Sequence, residues 1–266
     1  MGTSQEQSDP IPGLTACFTC MNSMRTMPRS LDSIQGLVEH VVVVDSGSTD
    51  GTIEFCRERG AEVVHRDWTN FPEQKTRALE LCADSPWVLN LDSDESPDSE
   101  LVAGIRSALA DPSESVDGFE LNRLTLLHGQ LLRHTFQPEW RLRLCRGGKG
   151  RVNHDSPVHD RIDVPGGVER LPGVLVHDSW IGATDMLTRG VRYGALVAEG
   201  YRGGGRPINL LVNPASAFLK QLLLRRGFLD GWRGWVAAGG VASQALAKHL
   251  AIMELRELKR EERRSS

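Results

Sequence analysis

The 266-residue sequence has no run of about 18 uninterrupted apolar residues, so no segment is expected to cross a bilayer. It has no basic excess: 31 Lys and Arg against 35 Asp and Glu leave a net charge of -4. That balance argues against nucleic acid as a partner, because neutralising phosphates takes cations. No Gly-Lys-Ser/Thr phosphate loop and no GxGxxG fingerprint is present. The five cysteines cannot all pair, and Cys17, Cys20, Cys56 and Cys82 lie in apolar runs, which suits a reducing cytosol rather than a disulfide framework. Cys17 and Cys20 form a CxxC inside a strand-like run with no second ligand pair nearby, so they are expected in the core rather than on zinc. Residues 1–13 are polar, carry Pro10 and Pro12 and lack an apolar segment. A disordered lead-in is expected there, not a signal peptide or anchor.

What remains is ordinary globular chemistry, 39% hydrophobic and 25% charged. The length suits one large α/β domain with an extension, or two small domains, and is enough to bury a core without staples. Strand-like runs at 14–20, 41–44, 61–65 and 87–91 alternate with helix-like segments at 27–37, 52–59 and 71–82. The Val41–Val44 run is β-branched throughout, as in a strand buried on both faces. Asp50 is placed to cap the second helix. Ser96 with Pro97 reads as the start of a fourth helix, to about Leu109. This β-α-β alternation predicts a mostly parallel sheet with right-handed crossovers, whose ligands bind beyond the carboxyl ends of the strands.

Two acidic segments fall at those ends. Asp92-Ser93-Asp94 follows the fourth strand directly, with Glu95 next. Carboxylates one residue apart in a turn can address a hard divalent cation such as Mg2+ or Mn2+ and leave positions for water and diphosphate oxygens. The plain alternative is an acidic turn that caps a helix. Asp45 ends the second strand and opens the turn Ser46-Gly47-Ser48-Thr49-Asp50-Gly51-Thr52. A carboxylate there can accept from ribose hydroxyls or a base N–H.

Taken together these segments resemble the family 2 glycosyltransferases of the GT-A fold, and within them the lipopolysaccharide-core branch that includes inner-core β-1,4-glucosyltransferases. The likeness rests on residues 42–52, His65-Arg66-Asp67-Trp68, Gln74-Lys75, residues 87–95, Arg141-Leu142-Arg143-Leu144, Val158-His159-Asp160 and Arg226-Gly227-Phe228-Leu229-Asp230-Gly231. It implies a Rossmann-like, mostly parallel sheet flanked by helices, with a helical C-terminal extension. It also implies that Thr19 and Asn22 line the nucleotide pocket, Asp45 holds the nucleoside, Asp92 contacts the donor and Asp94 binds the metal. Lys75 and Ser93 join the donor set, with a UDP-sugar as the expected donor. The sequence departs from the family pattern at Ser23, usually Glu, at Ser93, commonly Ala, and at Asp160, usually Glu.

An inverting transfer needs a base for the acceptor hydroxyl. Asp160 is the first candidate and Glu139 the second. His177 is placed to approach the diphosphate or its metal. Arg141 and Arg143 share one strand face and meet either an anionic acceptor or solvent. His154, His159 and His177 match no compact zinc spacing.

Residues 14–182 are expected to form the catalytic domain and 183–266 a helical region, with helices at about 184–199, 214–226 and 232–263. There Phe218, Leu222, Leu223, Leu224, Phe228, Trp232 and Trp235 lie among Lys220, Arg225, Arg226 and Arg233. That mixture suits either packing on the catalytic domain or a membrane interface with anionic head groups. The expected reading is a cytoplasmic enzyme, peripheral on the inner face of the cell membrane, acting on a saccharide or lipid-linked acceptor. The competitors are a nucleotidyltransferase, which would want a glycine- and lysine-rich loop that 21–30 lacks, and a non-catalytic saccharide-binding or membrane-scaffolding relative.

Overall fold

A computed structural model describes residues 9–154, 161–200 and 205–265. The chain runs β1 (Ile11–Cys20), α1 (Met27–Ser33), β2 (Val38–Asp45), α2 (Thr52–Glu58), β3 (Glu62–His65), α3 (Phe71–Leu81), β4 (Trp87–Asp92), β5 (Glu95–Pro97), α4 (Ser99–Ala110), β6 (Val116–Leu127), β7 (Gln130–Leu131) and β8 (Trp140–Arg146). It continues through β9 (Arg151–Val152), β10 (Ile162–Asp163), β11 (Gly167–Arg170), β12 (Leu175–His177), α5 (Ala183–Glu199), α6 (Asn209–Leu219) and α7 (Trp232–Ser265).

Two compact units result: 1–123 with 139–177, and 124–138 with 178–266. Contacts thus place the segment 124–138 with the C-terminal helices, whereas the sequence alone put it in a 14–182 domain.

In the first unit the strands run in the order β3-β2-β1-β4-β8-β6-β12-β5. β1, β2, β3 and β4 are parallel, and β8 reverses direction between β4 and β6. The centre of the sheet is apolar on both faces, as parallel strands covered by helices require. Phe18, Val43, Leu89 and Leu91 face one cluster, and Cys17, Val42, Val44 and Val88 the other. The two cysteines of the CxxC divide between these faces, and both are buried free thiols. Side chains three apart in a strand point to opposite faces, so they cannot share a metal.

Several boundaries differ from the sequence reading. The first helix ends at Ser33 rather than Leu37. β1 begins at Ile11, three residues inside the proposed lead-in, because the Ile11 N–H donates to the Leu37 carbonyl at 3.0 Å. Residues 95–97, read as a helix start at Ser96, form a buried strand instead, since Glu95, Ser96 and Pro97 pair with His177, Val176 and Leu175. The helix starts at Ser99, where Asp98 as N-cap accepts the Leu101 N–H at 2.8 Å. α2 follows a left-handed Gly51 (φ 90), and Asp50 still serves that end by accepting the Thr52 N–H at 3.1 Å.

The second unit packs α5 and α6 on the long α7. α6 begins a turn before the expected start at Pro214, which lies inside it, and passes into a π-helical turn at Lys220–Leu224 and a 3-10 turn at Gly227–Asp230. Among the described residues no helix is long and apolar enough to cross a membrane.

Candidate active site

Parallel register decides where the acidic segments go. Asp45 lies beside Cys20, and Asp92 beside Thr19, on the two flanks of β1. Two strand spacings of about 4.8 Å separate the ends of β2 and β4, so these segments face each other across about 10 Å. The two loops leading from β1 and β2 are zipped together. The Asn22 N–H donates to Ser48 Oγ at 2.8 Å, and Asn22 Oδ1 accepts the Thr49 N–H at 2.8 Å. Asn22 is left-handed (φ 51), a conformation asparagine tolerates. The Ser23 N–H donates to Thr52 Oγ1 at 2.9 Å, and the Met24 N–H to Asp50 at 3.0 Å.

Asp45 is 1% exposed. It accepts the N–H groups of Gly47 and Ser48 at 2.8 and 2.9 Å, the Ser48 hydroxyl, and the Cys20 thiol at 3.4 Å. Burial alone would raise its pKa, but those donors outweigh burial and hold the carboxyl below its ordinary value. With four donors on about four lone-pair sites, Asp45 shapes the loop here before it meets any ligand.

Asp92 is equally committed. Lys75, 1% exposed, reaches its Oδ1 at 2.7 Å, and Arg143 its Oδ2 at 2.8 Å. Burial opposes ionisation, yet Lys75 and Arg143 hold the Asp92 carboxyl well below the carboxylate range. The same Arg143 clamps Glu95 at 2.8 and 2.9 Å, and Arg123 adds a contact at 3.1 Å. Glu95 in turn accepts the Asp92 N–H at 3.1 Å. Arg123 and Arg141 converge on Glu139 Oε1. Burial would raise the Glu139 pKa, but Arg123 and Arg141 lower it below the ordinary value.

Arg143 therefore faces neither solvent nor an acceptor, as the Arg-Leu-Arg-Leu pattern suggested; it is 2% exposed and ion-paired. Lys75, expected in the donor set, is a buried ion-pair partner of Asp92. The sequence reading missed Glu95, Arg123 and Arg143 as one network. Its signal was Glu95 trailing the DxD and two arginines at strand spacing, and nothing in that spacing says the face points inward.

Asp94 differs. β12 lies antiparallel to β5 with His177 opposite Glu95, one residue past Asp94. His177 Nε2 stands 3.6 Å from Asp94 Oδ2. Burial dominates at Asp94 and raises its pKa; His177 opposes this, while Asp92 and Glu95 add to it. Two metal bonds of about 2.1 Å span at most about 4.2 Å between donor atoms, so a carboxylate and an imidazole at this separation could share one cation. Among the described residues no group of three or more His, Cys, Asp or Glu forms a cation cage. The middle of the DxD is also fixed: Ser93 Oγ lies 2.9 Å from Ser23 Oγ, and the Ser30 hydroxyl donates to the Ser93 carbonyl at 3.0 Å. Two departures from the family pattern thus touch each other. Asp160 and His159 lie outside the described residues.

The sequence profile described as Glycosyl transferase family 2 matches residues 15–137. The lipopolysaccharide core biosynthesis glycosyltransferase LpsC of Rhizobium meliloti is 30% identical over 258 residues, spanning 89% of this chain and 93% of that protein. An uncharacterized glycosyltransferase of Rickettsia prowazekii, RP128, is 25% identical over 250 residues, or 89% of this chain and 84% of that one. Among solved structures, glucosyl-3-phosphoglycerate synthase from Mycobacterium tuberculosis, in complex with Mn2+, UDP and glucosyl-3-phosphoglycerate, is 24% identical with a TM-score of 0.35, over 42% of this chain and 44% of that one. With its sheet order, its acidic strand ends and a full-length relative at this identity, the chain belongs to glycosyltransferase family 2.

Proposed function

We propose that this glycosyltransferase moves a sugar, with inversion, from a UDP-sugar to a saccharide of the lipopolysaccharide core or a lipid-linked equivalent. The observation that carries the donor side is the division of labour at 92–95: Asp92 is neutralised by Lys75 and Arg143, while Asp94 stands beside His177 and, among the described residues, makes no ion pair with a Lys or Arg. Asp94 and His177 are the residues that would hold Mg2+ or Mn2+, rather than Asp94 and Asp92. When bound, the ion supplies charge compensation for the leaving diphosphate. The acceptor assignment is supported by the LpsC likeness.

The chain's own residues position the rest. Thr19, Asn22 and Asp45 build the floor of the nucleoside side, with Asp45 holding the 46–51 turn from below. Ser93 is held by Ser23 between the two aspartates. Asp92, fixed by two cations on opposite oxygens, is a rigid anion at the donor rather than a proton carrier. Glu139 is a poor base for the same reason, since Arg123 and Arg141 favour its ionised form. The acceptor proton is therefore assigned to Asp160.

A membrane-surface location is supported by the second unit. Leu211, Leu224 and Trp235 are 71, 80 and 54% exposed there, close in sequence to Lys220, Arg225 and Arg226. Apolar and basic groups so mixed suit an anionic interface.

The test is release of free sugar and UDP from a panel of nucleotide sugars, with and without Mn2+, by the wild type and by Asp94→Asn. Metal-dependent turnover of a UDP-sugar, lost in the variant, is expected. Full activity of Asp94→Asn would overturn the cation assignment, and turnover of no nucleotide sugar would overturn the donor class.

A further inference from the structure

The second unit contains a hollow of about 370 Å3 that the transfer chemistry above does not use, lined among others by Gln130, Arg133, His134, Leu229 and Asp230. Its floor is Asp230, 4% exposed. The carboxylate accepts the N–H groups of Arg133, His134 and Thr135 at 2.9, 3.2 and 2.7 Å, the Thr135 hydroxyl at 2.8 Å, and lies 3.1 Å from His134 Nδ1. Five donors exceed the about four lone-pair sites of a carboxylate, so Asp230 has nothing left for a cation or a sugar hydroxyl. It is a cap that fixes the 133–135 turn and orients the imidazole.

That cap explains Asp230 but not the side chains around it. With Nδ1 engaged, His134 Nε2 has no partner among the described residues, and the ring is 36% exposed. The Arg133 guanidinium also has no partner there. Arg233 donates to Gln130 Oε1 at 2.7 Å. A guanidinium only donates, so the Gln130 amide must turn its oxygen to Arg233 and keep its N–H2 for something else. A cation, an amide N–H2 and an oriented imidazole therefore line a hollow whose one carboxylate is saturated. Nε2 suits either side of a hydroxylated anion: neutral, it accepts from a P–OH or sugar hydroxyl, and protonated, it donates to an anionic oxygen. The volume lies within the range of small-ligand sites, about 300–1,000 Å3.

We infer that this hollow is a second ligand site, built from residues other than Asp94 and His177, and that it takes a phosphomonoester carried on a saccharide. The saccharide part rests on the transferase reading. The anion part rests on Arg133, His134 and Gln130 alone.

Calorimetric titration in EDTA, which removes any divalent cation, tests both parts with glucose 6-phosphate, inorganic phosphate and glucose. Vesicles carrying phosphatidic acid form a parallel arm. Glucose 6-phosphate is expected to bind more tightly than phosphate, and glucose not at all. Arg133→Ala, His134→Ala and Gln130→Ala should each weaken the phosphosugar about tenfold or more, and Asp94→Asn should leave it unchanged. Arg133 is exposed, so that variant is expected to fold even if His134→Ala loosens the turn. No titration by either anion, or equal binding by Arg133→Ala and Gln130→Ala, overturns the site. Arg133-dependent capture by the vesicles without binding of glucose 6-phosphate assigns the anion to a lipid head group and overturns the saccharide assignment. Loss of phosphosugar binding with metal-dependent donor turnover intact leaves the transferase reading standing, and the reverse pattern separates the two the other way.

Discussion

His177 Nε2 stands 3.6 Å from Asp94 Oδ2, although 83 positions separate them in sequence. The pairing of β12 with β5 creates this proximity, since it sets His177 directly opposite Glu95. A local strand pair thus carries a histidine from the end of the first unit to the acidic turn.

If these two residues share the cation, His177→Ala should lower metal-supported transfer by about 100-fold or more, because several kcal/mol of charge stabilisation are at stake and each 1.36 kcal/mol is tenfold. Raising Mn2+ should recover part of the loss, and chelation should abolish activity in the wild type. Initial rates against Mn2+ concentration check this. A variant with unchanged metal dependence would remove His177 from the site.

The buried network makes a different kind of prediction, about stability. Arg143 is the shared partner of Asp92 and Glu95, and Glu95 has a fully buried side chain. Arg143→Met takes the shared guanidinium from two buried carboxylates at once, leaving Asp92 with Lys75 alone and Glu95 with Arg123 alone, and should cost about 2–4 kcal/mol. Arg141→Met removes a half-exposed partner from Glu139, which keeps Arg123, and should cost less than about 1 kcal/mol. Urea denaturation midpoints compare the two. Equal losses would mean that the network is no more than surface pairing.

These two arginines also mark how far the sequence could be read. The Val41–Val44 run and the strand before Asp92 were legible because parallel strands covered on both faces leave an unbroken apolar record, and the carboxyl-end rule then placed Asp45 and Asp92 correctly beside β1. Arg141 and Arg143 look identical in sequence, yet β8 sits inside the sheet, so one is buried and the other half-exposed. Spacing fixes which side chains share a face, not whether that face is inside. Ser96 misled for a related reason: Ser-Pro reads as a helix start, and only the long-range pairing with β12 shows that the chain stays extended as far as Asp98. The segment 124–138 carries no local mark of its unit either, because its anchor, Asp230, lies about a hundred residues away.

Asp45 gives a prediction in pH. Its folded pKa is depressed, because the Ser48 and Gly47 donors outweigh burial. The stabilisation is therefore fully present above the unfolded value of about 3.9 and is lost as pH falls through the lower folded value. Asp45→Asn should lose about 1–3 kcal/mol near neutrality, as its amide N–H2 meets donors. The gap between wild type and variant should narrow in strong acid. Melting temperatures from pH 7 down to pH 3 measure it. A gap that widens on acidification would contradict the sign.

The exposed apolar side chains of the second unit lead to a prediction about lipid. Leu211, Leu224 and Trp235 would stay solvated at a real cost unless something apolar met them, and the neighbouring Lys220, Arg225 and Arg226 favour an anionic surface over a neutral one. Co-sedimentation with vesicles containing phosphatidylglycerol should exceed that with phosphatidylcholine alone and should fall with added salt, since screening acts within about 10 Å at 0.1 M. Leu224→Asp should weaken it through the apolar term, and Arg225→Gln through the charged term. The two losses separate by salt: Leu224→Asp should bind weakly even at low ionic strength, whereas Arg225→Gln should differ from wild type there and converge with it at high salt. Binding indifferent to lipid charge and to both substitutions would return this surface to ordinary protein packing.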